Sequence, residues 1–368
     1  MEIYSHYNGK LGLICFAIYI IMLVFGRRTL GGNIRHYNNY LFVFIGMALY
    51  SVLGFLEYDT YHYYLQYEEM YQYDSRYHVE QFYFWLIKTF PHSFILFRGF
   101  VWGTASLLMV KTAKLLDLNS YVFCFLAPII FLPQLAVSRS ALGISLMLFC
   151  SVLLVQSFAE KKSLYFIFAG LGIFASIFLH KSMIIFVVFL LVSYIIPLNK
   201  KTVVISLIIF PFLYAVVLRY FHEFSFFASL SSEQAGLISQ FQDSSKTESN
   251  INGIIMEVFE SIVILSLVFN MIKKYLYDKI NATKEQYFIF KYAYVLVYIA
   301  FLFLGQDVST WINKRTIHVA SFALVLCATQ CFDTLKVNNK RTIFEKAILV
   351  GWILLSFWRQ FSFMRSSW

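Results

Sequence analysis

The chain has 368 residues, of which 60% are hydrophobic and only 14% are charged, with a formal net charge of +10 and a mean hydropathy of +0.67. Soluble domains carry about 25% charged residues, so the composition excludes a soluble globular protein. It predicts an all-α, polytopic integral membrane protein that forms one transmembrane domain over residues 1–368. All five cysteines lie in apolar segments without metal-binding spacing, which predicts small core residues.

Charged breaks interrupt the apolar runs at intervals of roughly 20 residues, the length at which a helix crosses the hydrocarbon core of a bilayer. The apolar runs predict about twelve membrane-spanning helices, and the shorter segment 81–90 predicts a helix that lies in the membrane interface or a segment that re-enters the membrane. The predicted spans are 11–26, 38–56, 93–110, 121–137, 141–158, 163–179, 182–198, 202–218, 251–272, 287–305, 316–332 and 343–358.

Basic residues are distributed unevenly between alternate loops. One set of loops holds sixteen Lys or Arg and five Asp or Glu, whereas the other set, with both termini, holds eleven and twelve. The positive-inside rule places the first set in the cytoplasm, and it accounts for most of the net charge without a nucleic-acid partner. Two long loops then lie outside, 57–92 with short amphipathic helices and 219–250, which would fold over the site as a lid.

The first outer loop is acidic and contains nine tyrosines between Tyr58 and Tyr83. Asp59 is placed to cap a helix on which Tyr63, Tyr67 and Tyr71 share one face. One interpretation is an amphipathic helix with an aromatic belt at the interface, and the other is a platform whose rings and carboxylates bind sugars. The carboxylates of Glu57 and Asp59 could together bind a divalent metal ion, but the favoured interpretation uses no metal or other cofactor.

Charged residues also occur within the predicted spans. Arg98 lies about five residues below the outer end of its helix, and Glu257 and Glu260 lie one turn apart at a similar depth. Intramembrane charges are costly, so they line a cavity or pair with one another. An ion pair between Arg98 and a glutamate is the structural interpretation of this group.

Arg139 is expected in a short turn between two apolar helices. Ser138 and Ser140 satisfy the needs of a turn, so an arginine is not required there. One interpretation is a charge that marks the membrane surface. The other is an anion clamp, because a guanidinium binds phosphate with two parallel hydrogen bonds and stays charged.

His180 and Lys181 interrupt the apolar stretch "FASIFLHKSMIIF". Lys181 alone would be a snorkelling helix end, but His180 titrates near neutral pH and can accept a proton from a hydroxyl. With Arg219 and Arg315 at the outer ends of their helices, these residues predict an outward-facing cationic cavity. Such a cavity suits a lipid-linked anion such as a polyprenyl pyrophosphate.

Several short motifs follow one another along the chain. An Asp precedes a Tyr by four residues, a Glu precedes a short aromatic segment, and the arginine of "SRSALGISLMLF" and the histidine of "FLHKSMII" precede a late arginine. The residues concerned are Asp59, Tyr63, Glu80, Phe82, Arg139, Phe178, His180, Ser182 and Arg315. Over about residues 40–320 this order resembles the EpsG-like branch of the Wzy polysaccharide polymerases, whose Phe-His-x-Ser motif here has Leu179 inserted before the histidine.

The resemblance implies a GT-C-like glycosyltransferase that acts on the outer face of the bacterial cytoplasmic membrane. Such enzymes transfer a growing O-antigen, capsule or exopolysaccharide chain from undecaprenyl pyrophosphate onto a new lipid-linked repeat unit. The implied partners are these donor and acceptor glycolipids, the membrane lipids and a chain-length-regulating co-polymerase. Some members carry arginine-rich repeats in two outer loops, whereas residues 220–250 here contain only Lys246 as a Lys or Arg.

In the favoured interpretation, cationic residues neutralise the leaving pyrophosphate and His180 or Asp59 accepts the proton of the acceptor hydroxyl. The predicted catalytic residues are His180, Asp59 and Arg139. The predicted substrate-binding residues are Arg98, Lys181, Arg219, Arg315, Glu80, Tyr63 and Glu257. The main alternative is a lipid-linked oligosaccharide flippase, which would need charges along both halves of its cavity and often shows internal repeats. A third is a membrane acyltransferase that acts on glycans, which would also use a histidine but would place its donor site toward the cytoplasm.

Overall fold

The computed structural model describes residues 58–73, 81–119, 122–123, 126–127, 138–180, 182–220, 251–278, 282–303, 309–333, 347–352 and 355, with the backbone alone at 58–63, 138–139, 251–257, 309–315 and a few further positions. These residues form helices and no strand, which confirms the all-α prediction for this part of the chain. The main helices are α1 (Tyr58–Tyr73), α2 (Gln81–Thr89), α3 (Phe94–Leu115), α4 (Ser138–Glu160), α5 (Ser163–Leu179), α6 (Met183–Ile195), α7 (Lys200–Tyr220), α8 (Ile251–Ile272), α9 (Lys284–Leu302) and α10 (Ser309–Asp333).

Helix bounds follow the predicted spans closely at α5 and α8, but α6 ends early. Its predicted span, 182–198, contains Pro197, which disfavours helical backbone at the residue before it. Ile196 is accordingly extended, with φ −77° and ψ 122°, and α6 is only about 20 Å long. The predicted spans 11–26 and 38–56 lie outside the described residues, as do most of 121–137 and 343–358, so the number twelve stays a prediction.

Three helices in the described part of the chain are long and apolar enough to cross a membrane, namely those over Phe94–Leu115, Ser140–Glu160 and Lys200–Val217. The last of these has a mean hydropathy of 1.8, but only 6% of its residues are buried by the rest of the protein. Its Phe212 side chain is 70% exposed. An apolar surface of this size is unfavourable in water and favourable in lipid, so these helices are compatible with a membrane protein.

The most extensive helix contact joins α4 and α5, which run antiparallel through a short turn. Two glycines permit the close approach. A Cβ atom at Gly172 would overlap Sγ of Cys150, and one at Gly143 would lie 3.5 Å from the Ser176 carbonyl oxygen. Small residues at a helix interface let the two backbones approach closely and so increase the van der Waals contact between the helices. Here the two glycines also determine the register of α5 on α4.

Buried apolar side chains form two clusters. The larger one joins α3, α4, α6, α8, α9 and α10 and contains Trp102, Met147, Phe290 and Phe322. The smaller one, called the α1–α2 cluster, consists of Tyr67, Met70, Tyr83, Ile87, Phe94, Phe97, Val101, Ala105, Leu142 and Leu179. It packs the two short helices of segment 57–92 against the start of α3, the start of α4 and the end of α5. This end of the bundle is called the His180 end, and the opposite end, where α9 begins, the Lys284 end.

A buried polar network closes the Lys284 end. Gln286 donates from Nε2 to the Leu116 carbonyl oxygen (2.7 Å), and its Oε1 accepts from the Thr283 backbone N–H (2.9 Å) and from Nε2 of Gln330. Gln330 in turn accepts a hydrogen bond from the hydroxyl of Tyr275, in the π-helical turn that follows α8. Because each buried polar group here has a partner, the network ties α3, α8, α9 and α10 together without an unpaired dipole.

Candidate functional site

His180 occupies the turn between α5 and α6 and is only 5% exposed. Its backbone is extended, with φ −157° and ψ 114°. The His180 N–H donates to the Ser176 carbonyl oxygen over 3.2 Å, and its carbonyl oxygen accepts from the Met183 N–H over 2.8 Å. Both backbone groups are therefore satisfied within the turn, which holds the imidazole in a defined position at a helix junction.

The imidazole ring is oriented by Ser182. The Ser182 backbone N–H donates to Nδ1 of His180 over 3.3 Å, and the Ser182 hydroxyl oxygen lies 3.0 Å from the same nitrogen. A backbone N–H can only donate, so Nδ1 carries the lone pair and the proton of a neutral ring lies on Nε2. In this arrangement Nε2 is a hydrogen-bond donor and cannot accept a proton. Sequence reasoning assigned Ser182 no separate role, although its spacing of two from a histidine is the signal of such a local hydrogen bond.

Arg139 is the second residue of α4, so it lies in the first turn of a helix and not in the loop that the sequence predicts. Four residues later on the same face, Gly143 lies against the Ser176 carbonyl and the Met183 side chain. Gly143 faces Ser176, and α4 and α5 are antiparallel. Four residues earlier on α4 and four residues later on α5, position 139 therefore lies at the level of His180. The helix register therefore brings these two predicted catalytic positions to the same level.

Arg98 lies on α3, which runs parallel to α4. Near their far ends, Nε2 of Gln156 donates to the Leu115 carbonyl oxygen over 3.4 Å, a pairing with an offset of 41 residues. Applied at the His180 end of the two helices, the same offset of 41 residues places Arg98 at the level of position 139. The agreement holds to within about one helical turn, because the Gln156 side chain can reach about that far along the axis. Arg98 is only 3% exposed, so a guanidinium is buried at the level of His180. Its predicted pairing with a glutamate stays a prediction.

Two buried serines lie deeper in the same two helices, α3 and α4. Ser106, two turns below Arg98 on α3, and Ser145 on α4 are both fully buried, and their hydroxyls have no hydrogen-bond partner among the described residues. Other buried helical hydroxyls, such as that of Ser151, donate to a carbonyl of the preceding turn. Buried hydroxyls without a partner are uncommon and call for water or a ligand.

The α1–α2 cluster covers the same end of the bundle, because Leu142 of α4 and Leu179 of α5 belong to it. Tyr67 is 1% exposed, and its hydroxyl donates to the Pro91 carbonyl oxygen (3.3 Å) and accepts from the Ser93 N–H (3.1 Å). Tyr67 therefore packs α1 onto α3, and its ring is not accessible to a sugar.

A second group in this segment joins α1 to the turn before α3. Oε2 of Glu68 lies 2.8 Å from Nε2 of His92, and the Tyr71 ring stacks on the His92 ring with centroids 4.0 Å apart. Nζ of Lys88 donates to the Tyr71 carbonyl oxygen over 2.8 Å. These internal contacts leave Glu68 24% exposed and His92 43% exposed at the surface of the segment.

The remaining predicted residues are not brought to His180 by described side-chain contacts. Asp59 and Tyr63 lie in the first two turns of α1, which begins at Tyr58, so Asp59 is inside the helix and not its N-cap. Glu257 lies on α8, and Arg315 lies in the second turn of α10, which begins earlier than predicted. For these four the structure describes the backbone alone.

Arg219 is exposed near the end of α7, a helix that packs on α9. Lys181, Glu80, Glu57 and the predicted lid over 221–250 lie outside the described residues. In the part of the chain with described side chains, no three His, Cys, Asp or Glu residues are grouped as metal ligands.

No protein-family model, curated protein or solved structure shows a significant match to this chain. Inference about function therefore depends on the chemistry of the His180 end and on the resemblance seen in the motifs.

Proposed function

We propose that the protein is an integral-membrane glycosyltransferase that polymerises undecaprenyl-pyrophosphate-linked oligosaccharide repeat units on the outer face of the bacterial cytoplasmic membrane. The observation that supports the proposal is the common level of Arg98 on α3, position 139 on α4 and His180 in the turn after α5. A cationic level beside a lipid-facing surface suits the pyrophosphate of a polyprenyl lipid, whose tail remains in the bilayer.

In the proposed reaction, the hydroxyl oxygen of the acceptor repeat unit attacks the anomeric carbon of the donor glycan. The bond between that carbon and the pyrophosphate oxygen breaks, and the pyrophosphate leaves with the electron pair. Arg98 and Arg139 neutralise the charge that develops on the leaving group. The acceptor proton passes to a base.

The orientation of the His180 ring supports a specific division of roles. With Nδ1 accepting from Ser182, the Nε2–H of His180 donates to an oxygen of the pyrophosphate or of the acceptor sugar. Asp59, the other base candidate from the sequence, then accepts the proton. His180 thus serves as a donor that stabilises the transition state, which is a change of role from the base that the sequence first suggests.

Purified full-length protein in lipid nanodiscs, incubated with a lipid-linked repeat unit, tests the proposal. We expect a ladder of glycans on gels that is lost in Arg98→Gln and retained in Lys111→Gln, which removes an exposed cation from the far end of the same helix. A flippase would instead move the lipid-linked unit across the bilayer of a proteoliposome without lengthening it. Transport with no ladder under any donor concentration would overturn the proposal in favour of that alternative.

A further inference from the structure

A cavity of about 270 Å³ lies at the Lys284 end, between α4, α6 and α9. Its walls include Phe158 at the end of α4, Tyr194 at the end of α6, and Lys284, Phe288 and Lys291 on α9. It is at the opposite end of α4 from His180, so the proposed glycosyl transfer does not use it.

The cavity is cationic. Lys284 and Lys291 are seven residues apart and share one face of α9. Nζ of Lys291 donates to the Tyr194 carbonyl oxygen over 3.4 Å, which fixes the ammonium at the end of α6. The acidic residue at the end of α4, Glu160, lies 2.6 Å from Nζ of Lys162 and raises the pKa of that lysine through a hydrogen bond. That carboxylate is engaged with Lys162, and the two cavity lysines retain a net positive charge.

The cavity is also continuous with the apolar surface of the bundle. Phe158 is 53% exposed, and its ring contacts those of Tyr194 and Phe166 with centroids 5.9 and 5.5 Å apart. Phe166 lies among the exposed apolar side chains of α5, which include Leu171 and Phe174. The site therefore combines two ammonium groups at one end with an aromatic and aliphatic track that leads away from them.

We propose that this cavity binds an anionic diacyl phospholipid of the surrounding membrane. Lys284 and Lys291 contact the phosphate, and an acyl chain lies on the Phe158–Phe166 track. Basic pockets between helices near the membrane surface are suited to such headgroups, and charge complementarity favours an anionic over a zwitterionic lipid. A free phosphate would satisfy the lysines but would leave the aromatic track uncovered, so a lipid fits both features. This inference is independent of the proposed glycosyl transfer.

Native mass spectrometry of the purified full-length protein tests the proposal, with phosphatidylglycerol and phosphatidylcholine of identical acyl chains as probes. We expect retention of phosphatidylglycerol by the wild type and about 30-fold weaker binding in Lys284→Gln/Lys291→Gln, because each basic residue near an anionic surface contributes roughly a fivefold factor. The matched control is Lys111→Gln/Lys201→Gln, which removes two exposed lysines that do not line the cavity. It should bind phosphatidylglycerol as the wild type does.

A second variant tests the cavity without changing charge. Ala159 lines the cavity, and Ala159→Trp would fill it, so this variant should lose phosphatidylglycerol while keeping its melting temperature. Equal binding of phosphatidylcholine, equal loss in the control variant, or full retention in Ala159→Trp would each overturn the proposal. Binding of soluble glycerol phosphate as tight as that of phosphatidylglycerol would overturn the assignment to a diacyl lipid. Preferential binding of a polyprenyl phosphate would also overturn it.

Discussion

The backbone N–H of Ser182 donates to Nδ1 of His180 over 3.3 Å, so Nδ1 is the acceptor in this contact and the proton of a neutral ring lies on Nε2. Glutamine can place an amide N–H where Nε2–H lies, whereas asparagine mimics Nδ1 and alanine mimics neither. If His180 donates, His180→Gln should retain much of the polymerising activity, and His180→Ala and His180→Asn should lose about 10²–10³-fold in kcat.

The measurement is the rate of ladder formation by each variant, with membrane content of the protein as the control for folding. A base would behave differently, because glutamine cannot accept the proton, and His180→Gln would then be as inactive as His180→Ala. A wild-type pH–rate profile with an ascending limb that disappears in His180→Gln would also contradict the donor role.

Arg139→Lys distinguishes a phosphate clamp from a charge marker. Lysine keeps the charge but cannot form two parallel hydrogen bonds, so the variant should recover little of the activity lost in Arg139→Ala. Single-turnover rates in nanodiscs measure this. A normally expressed and fully active lysine variant would show that position 139 only marks the membrane surface.

Removal of divalent metal ions should leave polymerisation unchanged. Guanidinium groups can supply the charge neutralisation that Mg²⁺ supplies in other pyrophosphate chemistry, and the proposed roles use no metal. Activity is measured after EDTA treatment and gel filtration. Loss of activity that Mg²⁺ or Mn²⁺ restores, combined with loss in Asp59→Asn, would instead assign Glu57 and Asp59 as metal ligands.

Two neighbouring glycines of α5 should respond in opposite directions to the same substitution. At Gly172 a Cβ would overlap Sγ of Cys150, whereas a Cβ at Gly170 would have no described atom within 4 Å apart from its chain neighbours and the backbone of its own helix. Gly172→Ala should therefore lower the free energy of unfolding by about 1–3 kcal/mol through overpacking, and Gly170→Ala should raise it by roughly 0.5–1 kcal/mol through helix propensity.

Thermal unfolding in detergent measures both changes. Cys150→Ala removes the sulfur that causes the overlap, so Cys150→Ala/Gly172→Ala should recover most of the loss. A double variant no more stable than Gly172→Ala alone would mean that the α4–α5 register does not depend on this contact.

Gln286→Leu should destabilise the Lys284 end by about 2–3 kcal/mol. The substitution preserves the approximate volume but leaves the Leu116 carbonyl and the amide of Gln330 buried without this partner. Gln72→Leu on the exposed face of α1 is the control, and its melting temperature should hardly change. Equal melting temperatures for Gln286→Leu and the wild type would show that water replaces the side chain.

The amino-acid sequence by itself predicted the helical class and the bounds of α5 and α8, because long apolar runs bounded by charges exceed the length of a strand and suit a helix. It also singled out Arg98, Arg139 and His180, since charge within an apolar run is costly and stands out. It could not supply the lengths of α6 and α10 or the helical position of Arg139, because helix ends depend on local competition such as that of Pro197.

Only the tertiary structure decided which of these residues share a level. That relationship depends on the register of α3, α4 and α5, which Gly143, Gly172 and Gln156 determine through contacts between segments far apart in the chain. Hydrophobic periodicity is the same for every register, so it carries no such information. The proton position on His180 has the same origin, because it is determined by the direction of the Ser182 N–H in the folded turn.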